Sequence, residues 1–250
     1  MKLEINDVGT FQIYLNSVLK FVNMVEFEVS KDFTKIMARN EAKTVKGFFV
    51  TNSMTYDNDT PVTFCFSDLR KLNRSINLVK SVENNNKMNI KFDGTFLNYN
   101  GKTSFKLKTV KRDIVERYTS AAFKGDHKIK YSFTTSTENV KRVIQANAII
   151  ANTDAKVYIS KKDSSVIAEV DDKSSRLNDS IGIPIADKLD NGNISSIACL
   201  KFTDFMNFSI LHSPTIKVEF TNKNAYLVDS EIKNNKKWIK MKLGIPLIKQ

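Results

Sequence analysis

The chain has little of what staples, breaks or spans a protein. Its 250 residues include two cysteines, four prolines, eight glycines, two histidines and one tryptophan. Cys65 and Cys199 each sit in an apolar run, Phe64-Cys65-Phe66 and Ile197-Ala198-Cys199-Leu200, so no disulfide staple is needed, two isolated core cysteines in a reducing, cytoplasmic setting are expected, and a single disulfide is the lesser reading. So few glycines and prolines rule out a Gly/Ser linker or a collagen-like segment. No stretch approaches the roughly 18 apolar residues of a membrane span, and Glu4 and Asp7 stand where a signal peptide would be apolar. Catalytic patterns are missing too. His127 and His212 have no ligand or nucleophile at metal or triad spacing, and no Gly-rich phosphate loop occurs. The pairs Asp57/Asp59 and Asp171-Asp172 are flanked by Asn, Thr, Lys and Ser and read as turns. No enzyme, cofactor or metal is expected.

At 41% hydrophobic the chain can fill a core, and 39 Lys and Arg against 27 Asp and Glu leave it at +12. The excess is evenly spread, at +6 in residues 1–119 (nineteen bases, thirteen acids) and +6 in the remainder (twenty bases, fourteen acids). Neither half is a basic tail.

The sequence repeats itself weakly but in order. Val25–Lys31 reappears as Ala155–Lys161, with apolar residues at alternate positions both times. Phe66-Ser67-Asp68-Leu69 returns as Phe202-Thr203-Asp204-Phe205, and Met88–Phe92 returns as Ile216–Phe220. Phe105-Lys106-Leu107-Lys108 matches Ile239-Lys240-Met241-Lys242. Each copy reads as an amphipathic helix, alternating strands, a second short helix and more strands. The first helix, about Asp7–Asn23, puts Val8, Phe11, Leu15, Val18 and Val22 on one face. Its counterpart opens at the capping-box pattern Thr135-Ser136-Thr137-Glu138 and buries Val140, Val143, Ile144, Ala148 and Ala151. The second helix starts with Ser67 as N-cap, Asp68 complementing the helix dipole, and buries Leu69, Leu72, Ile76 and Val79, while Thr203, Asp204, Phe205, Phe208 and Leu211 do the same work in the other copy. The pattern predicts an α+β protein of two similar domains, 1–115 and 129–250, each with two helices on antiparallel sheets, joined by an aperiodic connector at 116–128.

The helix faces turned from the sheets carry the functional signal. Opposite the Leu69/Leu72/Ile76/Val79 stripe lie Arg70, Arg74 and Asn77, flanked by Lys71 and Lys80, with no acid. The first helix presents Asn16, Ser17 and Lys20, and its repeat presents Lys141, Arg142 and Gln145. Long cations on one side suit a polyphosphate, bound without regard to sequence and weakened by salt. The second helix of the second copy lacks the bias, with Met206, Asn207 and Ile210 in place of bases. Lys106, Lys108, Lys240 and Lys242 alternate with apolar residues and should project from outer sheet faces.

The duplicated order of elements, the opening Met1-Lys2-Leu3, the Phe66-Ser67-Asp68-Leu69 helix start and the terminal Lys242–Ile248 segment together resemble the DNA sliding clamp family. In size the chain is similar to the two-domain clamps, PCNA and the T4-type phage clamp. The resemblance implies a homotrimeric ring around double-stranded DNA that tethers a polymerase and is opened by a clamp loader, in the host cytoplasm if viral. Lys20, Arg70, Lys71, Arg74, Lys80, Lys141 and Arg142 would then line the hole. Partner peptides would dock near Val45, Ala121, Phe123, Pro246, Leu247 and Ile248. Subunits would join by pairing Ser104–Lys111 with the 179–185 region. Two alternatives stay open: a herpesvirus-type processivity factor acting as monomer or dimer, and a basic nucleic-acid-binding or virion structural protein.

Overall fold

The computed structural model describes residues 1–40, 42–115, 128–150, 155–171, 180–194, 198–207, 214–221, 224–228, 232–234 and 236–248. Two compact units divide the chain. The first comprises Met1–Glu41, Gly47–Ala122 and Glu231–Met241, and the second Ala42–Lys46, Phe123–Ser230 and Lys242–Gln250. Of the connector expected at 116–128, residues 116–127 lie outside the described residues.

The first unit runs β1 (Lys2–Ile5), α1 (Val8–Leu19), β2 (Val25–Val29), β3 (Thr34–Arg39), β4 (Lys46–Thr51), β5 (Met54–Tyr56), β6 (Val62–Phe66), α2 (Leu69–Glu83), β7 (Met88–Phe92), β8 (Phe96–Asn100) and β9 (Ser104–Lys108). One sheet has the order β5-β1-β7-β8-β9 and the other reads β6-β2-β3-β4, with every pairing given a register antiparallel. Strict alternation drives the layering, since Val25, Phe27 and Val29 are buried while Glu26 and Glu28 between them are not. The inner faces meet through aromatics: Phe64 stacks on Phe27 at 5.1 Å and lies 5.2 Å from Phe92. Phe11, Tyr14, Leu15, Leu69 and Ile76 complete this core from the helices, fully buried, and side chains of this size each contribute about 1.5–3 kcal/mol.

The second unit repeats the order: β10 (Tyr131–Ser136), α3 (Thr137–Ile150), β11 (Lys156–Lys162), β12 (Ser165–Asp171), β13 (Ser180–Ala186), β14 (Asn191–Gly192), β15 (Ala198–Lys201), α4 (Phe202–Phe205), β16 (Thr215–Phe220) and β17 (Asn224–Val228). A short β18 (Ile232–Asn234), counted with the first unit, precedes the long β19 (Lys237–Pro246), whose Lys242–Pro246 part belongs to the second unit and pairs with β17. Its sheets read β14-β10-β16-β17-β19 and β15-β11-β12-β13, strand for strand the topology of the first unit. The duplication is therefore one of topology.

Register supports three of the four sequence matches. Val25 pairs with Phe66, and Lys156 pairs with Lys201, one step from the equivalent Ala155–Phe202 contact. The β7–β8 and β16–β17 hairpins close on Phe92–Leu97 and Phe220–Ala225. The fourth match is out by four residues. Lys108 pairs with Phe96, and the equivalent position Asn224 pairs with Pro246, so the counterpart of Phe105–Lys108 is Leu243–Pro246 and not Ile239–Lys242. A period-two pattern looks the same after any even shift, and only pairing decides between the frames.

The helices differ in detail from expectation. The N-cap of α2 is Asp68, not Ser67, and its carboxylate accepts the Arg70 N–H at 3.1 Å. Ser17 is fully buried, because its hydroxyl is satisfied within α1 by the Ile13 carbonyl at 2.9 Å. In α3 the cap is Ser136, accepting the Asn139 N–H at 3.1 Å, while Thr135 belongs to β10, so the expected capping box is not the one formed. The buried stripe of α3 is Val140, Val143 and Ala146; Ala148 is exposed. In the second unit Asp204 does not cap a helix: it is buried and accepts the Thr44 hydroxyl at 2.6 Å. Ala151, Phe208 and Leu211 lie outside the described residues.

Candidate nucleic-acid interface

In the first unit α1 and α2 lie side by side and run antiparallel, as their polar contacts establish in order. Gln12 bonds Asn77 and accepts from Lys80 Nζ at 3.1 Å. Asn16 accepts from Asn73 Nδ2 at 2.8 Å, and the Asn23 carbonyl accepts the Leu69 N–H at 2.9 Å. Side-chain amides make most of this seam, and Lys80 joins it through Gln12. Lys20, Arg70 and Arg74 are left for the solvent face.

Arg70, Arg74, Asn77, Ser81 and Lys80 are exposed on α2, and Asn16 and Lys20 on α1. Arg74 has no ion-pair partner among the described residues. Arg70 approaches Asp68 at 3.5 Å with its side chain 64% exposed, a surface pair of small energetic weight. Slight desolvation raises the Asp68 carboxyl, but bonds from Asn23 and from Arg70 outweigh it and hold the group below its ordinary range. Lys71 sits on the other flank of α2, lining a groove with Lys106, Lys108 and Lys111. Of the expected hole-lining residues, five thus belong to the first unit, four of them on or beside the α1–α2 surface. Lys141 and Arg142 are exposed on α3 in the second unit, Arg142 within 3.8 Å of Glu138 one turn earlier.

The lower end of α2 is tied down separately. Glu83 accepts from the Tyr99 hydroxyl at 2.6 Å and from the Thr103 N–H at 3.1 Å, and these two bonds hold its carboxyl below the usual range. Burial, with the Glu83 bond and charge added, pushes the Tyr99 hydroxyl up to about 12. The signs follow from linkage. The Glu83 contribution is present above the ordinary carboxylate pKa and is lost as pH falls through the depressed value. That of Tyr99 is present below pH 10.0 and is lost as pH rises through about 12. In Glu83→Gln the Tyr99 titration, followed by the 13C shift of its ring, is expected to move down from about 12 while staying above an exposed tyrosine, because burial remains. An unmoved midpoint would remove Glu83 from this account.

Two of the terminal strands, β9 and β13, lie beside helices that expose apolar side chains. Among the described residues β9 pairs only with β8, and β13 only with β12. Beside β9, α2 turns out Leu78 and Val82, which are 57% and 50% exposed, on the same flank as Lys71. The half-exposed Phe105 and Leu107 continue the strip. On α3, whose Asn139 side chain donates to the Ile185 carbonyl of β13, Ile149 is 76% exposed.

Two further edge strands are each met by a following segment: the Val110 N–H donates to the Cys65 carbonyl of β6, and the Ile248 N–H to the Cys199 carbonyl of β15, both at 2.9 Å. No family profile and no curated protein matches the sequence. Solved structures do match. A PCNA from A. fulgidus, in a structure with the C-terminal region of FEN-1 bound, superposes with a TM-score of 0.74 over 100% of both chains at 12% identity. The PCNA2–PCNA3 complex of Sulfolobus tokodaii gives 0.69 over 99% of both chains at 10% identity. The PCNA of Entamoeba histolytica gives 0.68 over 98% of both at 12%. The chain has the PCNA-type sliding-clamp fold.

Within this clamp fold the residues named for partner docking are unequally placed. Val45 is fully buried, so its side chain has no surface to offer, a correction to the sequence reading. Ala121 and Phe123 lie outside the described residues. Pro246 is exposed and Leu247 and Ile248 half-buried, where the tail runs along β15. Sequence reasoning missed the Gln12/Asn16/Asn73/Asn77 seam and the Leu78/Val82 pair. The signal for the pair was legible as two apolar residues four apart, off the buried stripe. No helix in the described residues is long and apolar enough to cross a membrane.

Proposed function

We propose that this protein is a sliding clamp, a non-enzymatic processivity factor that encircles double-stranded DNA as a homotrimer and tethers a DNA polymerase after a clamp loader has closed it on the DNA. The observation that carries this reading is the solvent face of the α1–α2 pair. It presents Lys20, Arg70, Arg74 and Lys80, its interhelical seam is stitched mainly by amides, and the acids beside it, Asp68 and Asp7, are the N-caps of α2 and α1. Such a face holds phosphates loosely, and contacts that ignore sequence permit sliding. Lys141 and Arg142 on α3 extend the role to the second copy. The edge strands β9 and β13, beside helices that expose Leu78, Val82 and Ile149, suit closure of identical chains head to tail, which pairs both of these edges. Domain limits of 1–115 and 129–250, with 116–128 as connector, fit the repeated topology. Partners would dock at Pro246, Leu247 and Ile248, beside the connector with Ala121 and Phe123.

The decisive experiment is topological. Loaded protein is expected to stay on covalently closed circular DNA through a high-salt wash, to leave once the circle is cut, and to raise polymerase processivity. Equal retention on circular and linear DNA would overturn the ring and favour a packaging protein.

A further inference from the structure

We infer that the solvent face of the β5-β1-β7-β8-β9 sheet in the first unit is a second, separate nucleic-acid site, which binds a single strand through its phosphates. Four exposed lysines stand on this face: Lys2 on β1, Lys91 on β7, and Lys106 and Lys108 on β9. Register places them in one field. Lys2 is directly opposite Lys91, Lys91 opposite Asn98, Asn98 opposite Lys106, and Phe96 opposite Lys108. None of the four makes an ion pair among the described residues. The nearby acids offset them only in part. Asp93 feels the charge of Lys106 but is occupied by the N–H groups of Thr95 and Phe96 and by the Asn98 amide, at 2.9, 2.7 and 3.2 Å. Glu4 is opposite Asn89 and Thr55.

The other sheet of the same unit shows the ordinary solution. There Glu28 is directly opposite Lys35 and joined to it at 2.6 Å, and Glu26 holds Arg112 at 2.7 Å. Like charges placed opposite each other destabilise a sheet, so the Lys2–Lys91 pair weakens the fold and gives nothing back to it. A polyanion laid across the face would reverse that repulsion. The chemistry of the face favours nucleic acid over an acidic protein: its other outward residues are mostly Asn, Ser and Thr, whereas protein interfaces are depleted in lysine and centre on apolar groups. Three strand spacings of about 4.8 Å separate β1 from β9. A flexible single strand can follow lysines across such a flat field, which a rigid duplex touches only along a line. Phe96, half-exposed with Lys106 Nζ 4.2 Å from its ring centre, adds one stacking platform.

The test is fluorescence anisotropy with labelled oligo-dT and, separately, a labelled duplex, comparing the full chain with K91E/K106E. The variant is expected to lose about tenfold or more in oligo-dT affinity at low salt, and its salt slope to fall in magnitude by about 1.4 for two lost phosphate contacts. Its duplex affinity should stay within about twofold. The carboxylate introduced on β7 would face Lys2, so the unfolding midpoint should not drop, which separates lost binding from lost folding. Unchanged oligo-dT binding overturns the inference. So does an equal loss for duplex and single strand, which would reflect net charge alone, or polyglutamate competing as well as oligo-dT at matched charge, which would make the face a site for acidic polypeptide.

Discussion

Replacing Arg70 and Arg74 together by alanine is expected to weaken duplex association by about tenfold or more at low salt. It should also make the plot of log affinity against log salt shallower by about 1.8, two phosphate contacts at about 0.9 each. Both side chains stand on the solvent face of α2, opposite Leu69, Leu72, Ile76 and Val79. Their loss removes charge and no packing, and alanine is the better helix former. The unfolding midpoint should therefore hold, and the effect should be the same for any duplex sequence. Arg74 is expected to account for the larger share, because Arg70 is partly engaged by Asp68 at 3.5 Å. Filter binding or anisotropy across a salt series measures both quantities. Parallel salt plots for parent and variant would take these two residues out of the proposed contact surface.

A second large effect is expected from Leu78→Asp with Val82→Asp. The parent should sediment or scatter as three chains of 28.5 kDa, and the double variant as one. The two side chains are at least half exposed, a turn apart on the flank of α2 that borders the open edge of β9. Burying the exposed half of this pair against another chain would contribute about 1.5–3 kcal/mol, worth roughly one to two orders of magnitude in association. Carboxylates there would cost their desolvation as well. Since neither residue contributes to the core of its own unit, the monomer should unfold at the parental midpoint. A parent that is already monomeric, or a variant that still weighs three chains, would contradict the head-to-tail assembly.

The legible parts of this molecule were those written in local period. The alternation Val25/Phe27/Val29 and the three-and-four spacing of Leu69, Leu72, Ile76 and Val79 reappear unchanged as buried faces. The outward Arg70 and Arg74 follow from the same arithmetic. Where the reading slipped, the pattern was degenerate or the partner distant. Phe105–Lys108 matched Ile239–Lys242 because strands four residues out of frame look identical. Ser17 reads as an outward polar residue until its bond to the Ile13 carbonyl makes it tolerable inside. Val45 has nothing in its neighbours to mark it as buried. Ser67 and Asp68 are both good caps, and the strand end at Phe66 decides between them.

Composition and periodicity alone determined that this chain is an α+β protein written twice, with cationic helix faces, since each of those properties resides in residues close in sequence. The tertiary structure decided the rest: the strand order shared by the two units, the amide seam that joins α1 to α2, the edge positions of β9 and β13, and the lysine field where Lys2 faces Lys91. Each of these depends on backbone pairing or side-chain contact between residues tens of positions apart. Such contacts come from closing loops whose entropy cost varies only slowly with length, so nothing in the local pattern records which distant segment will be the partner.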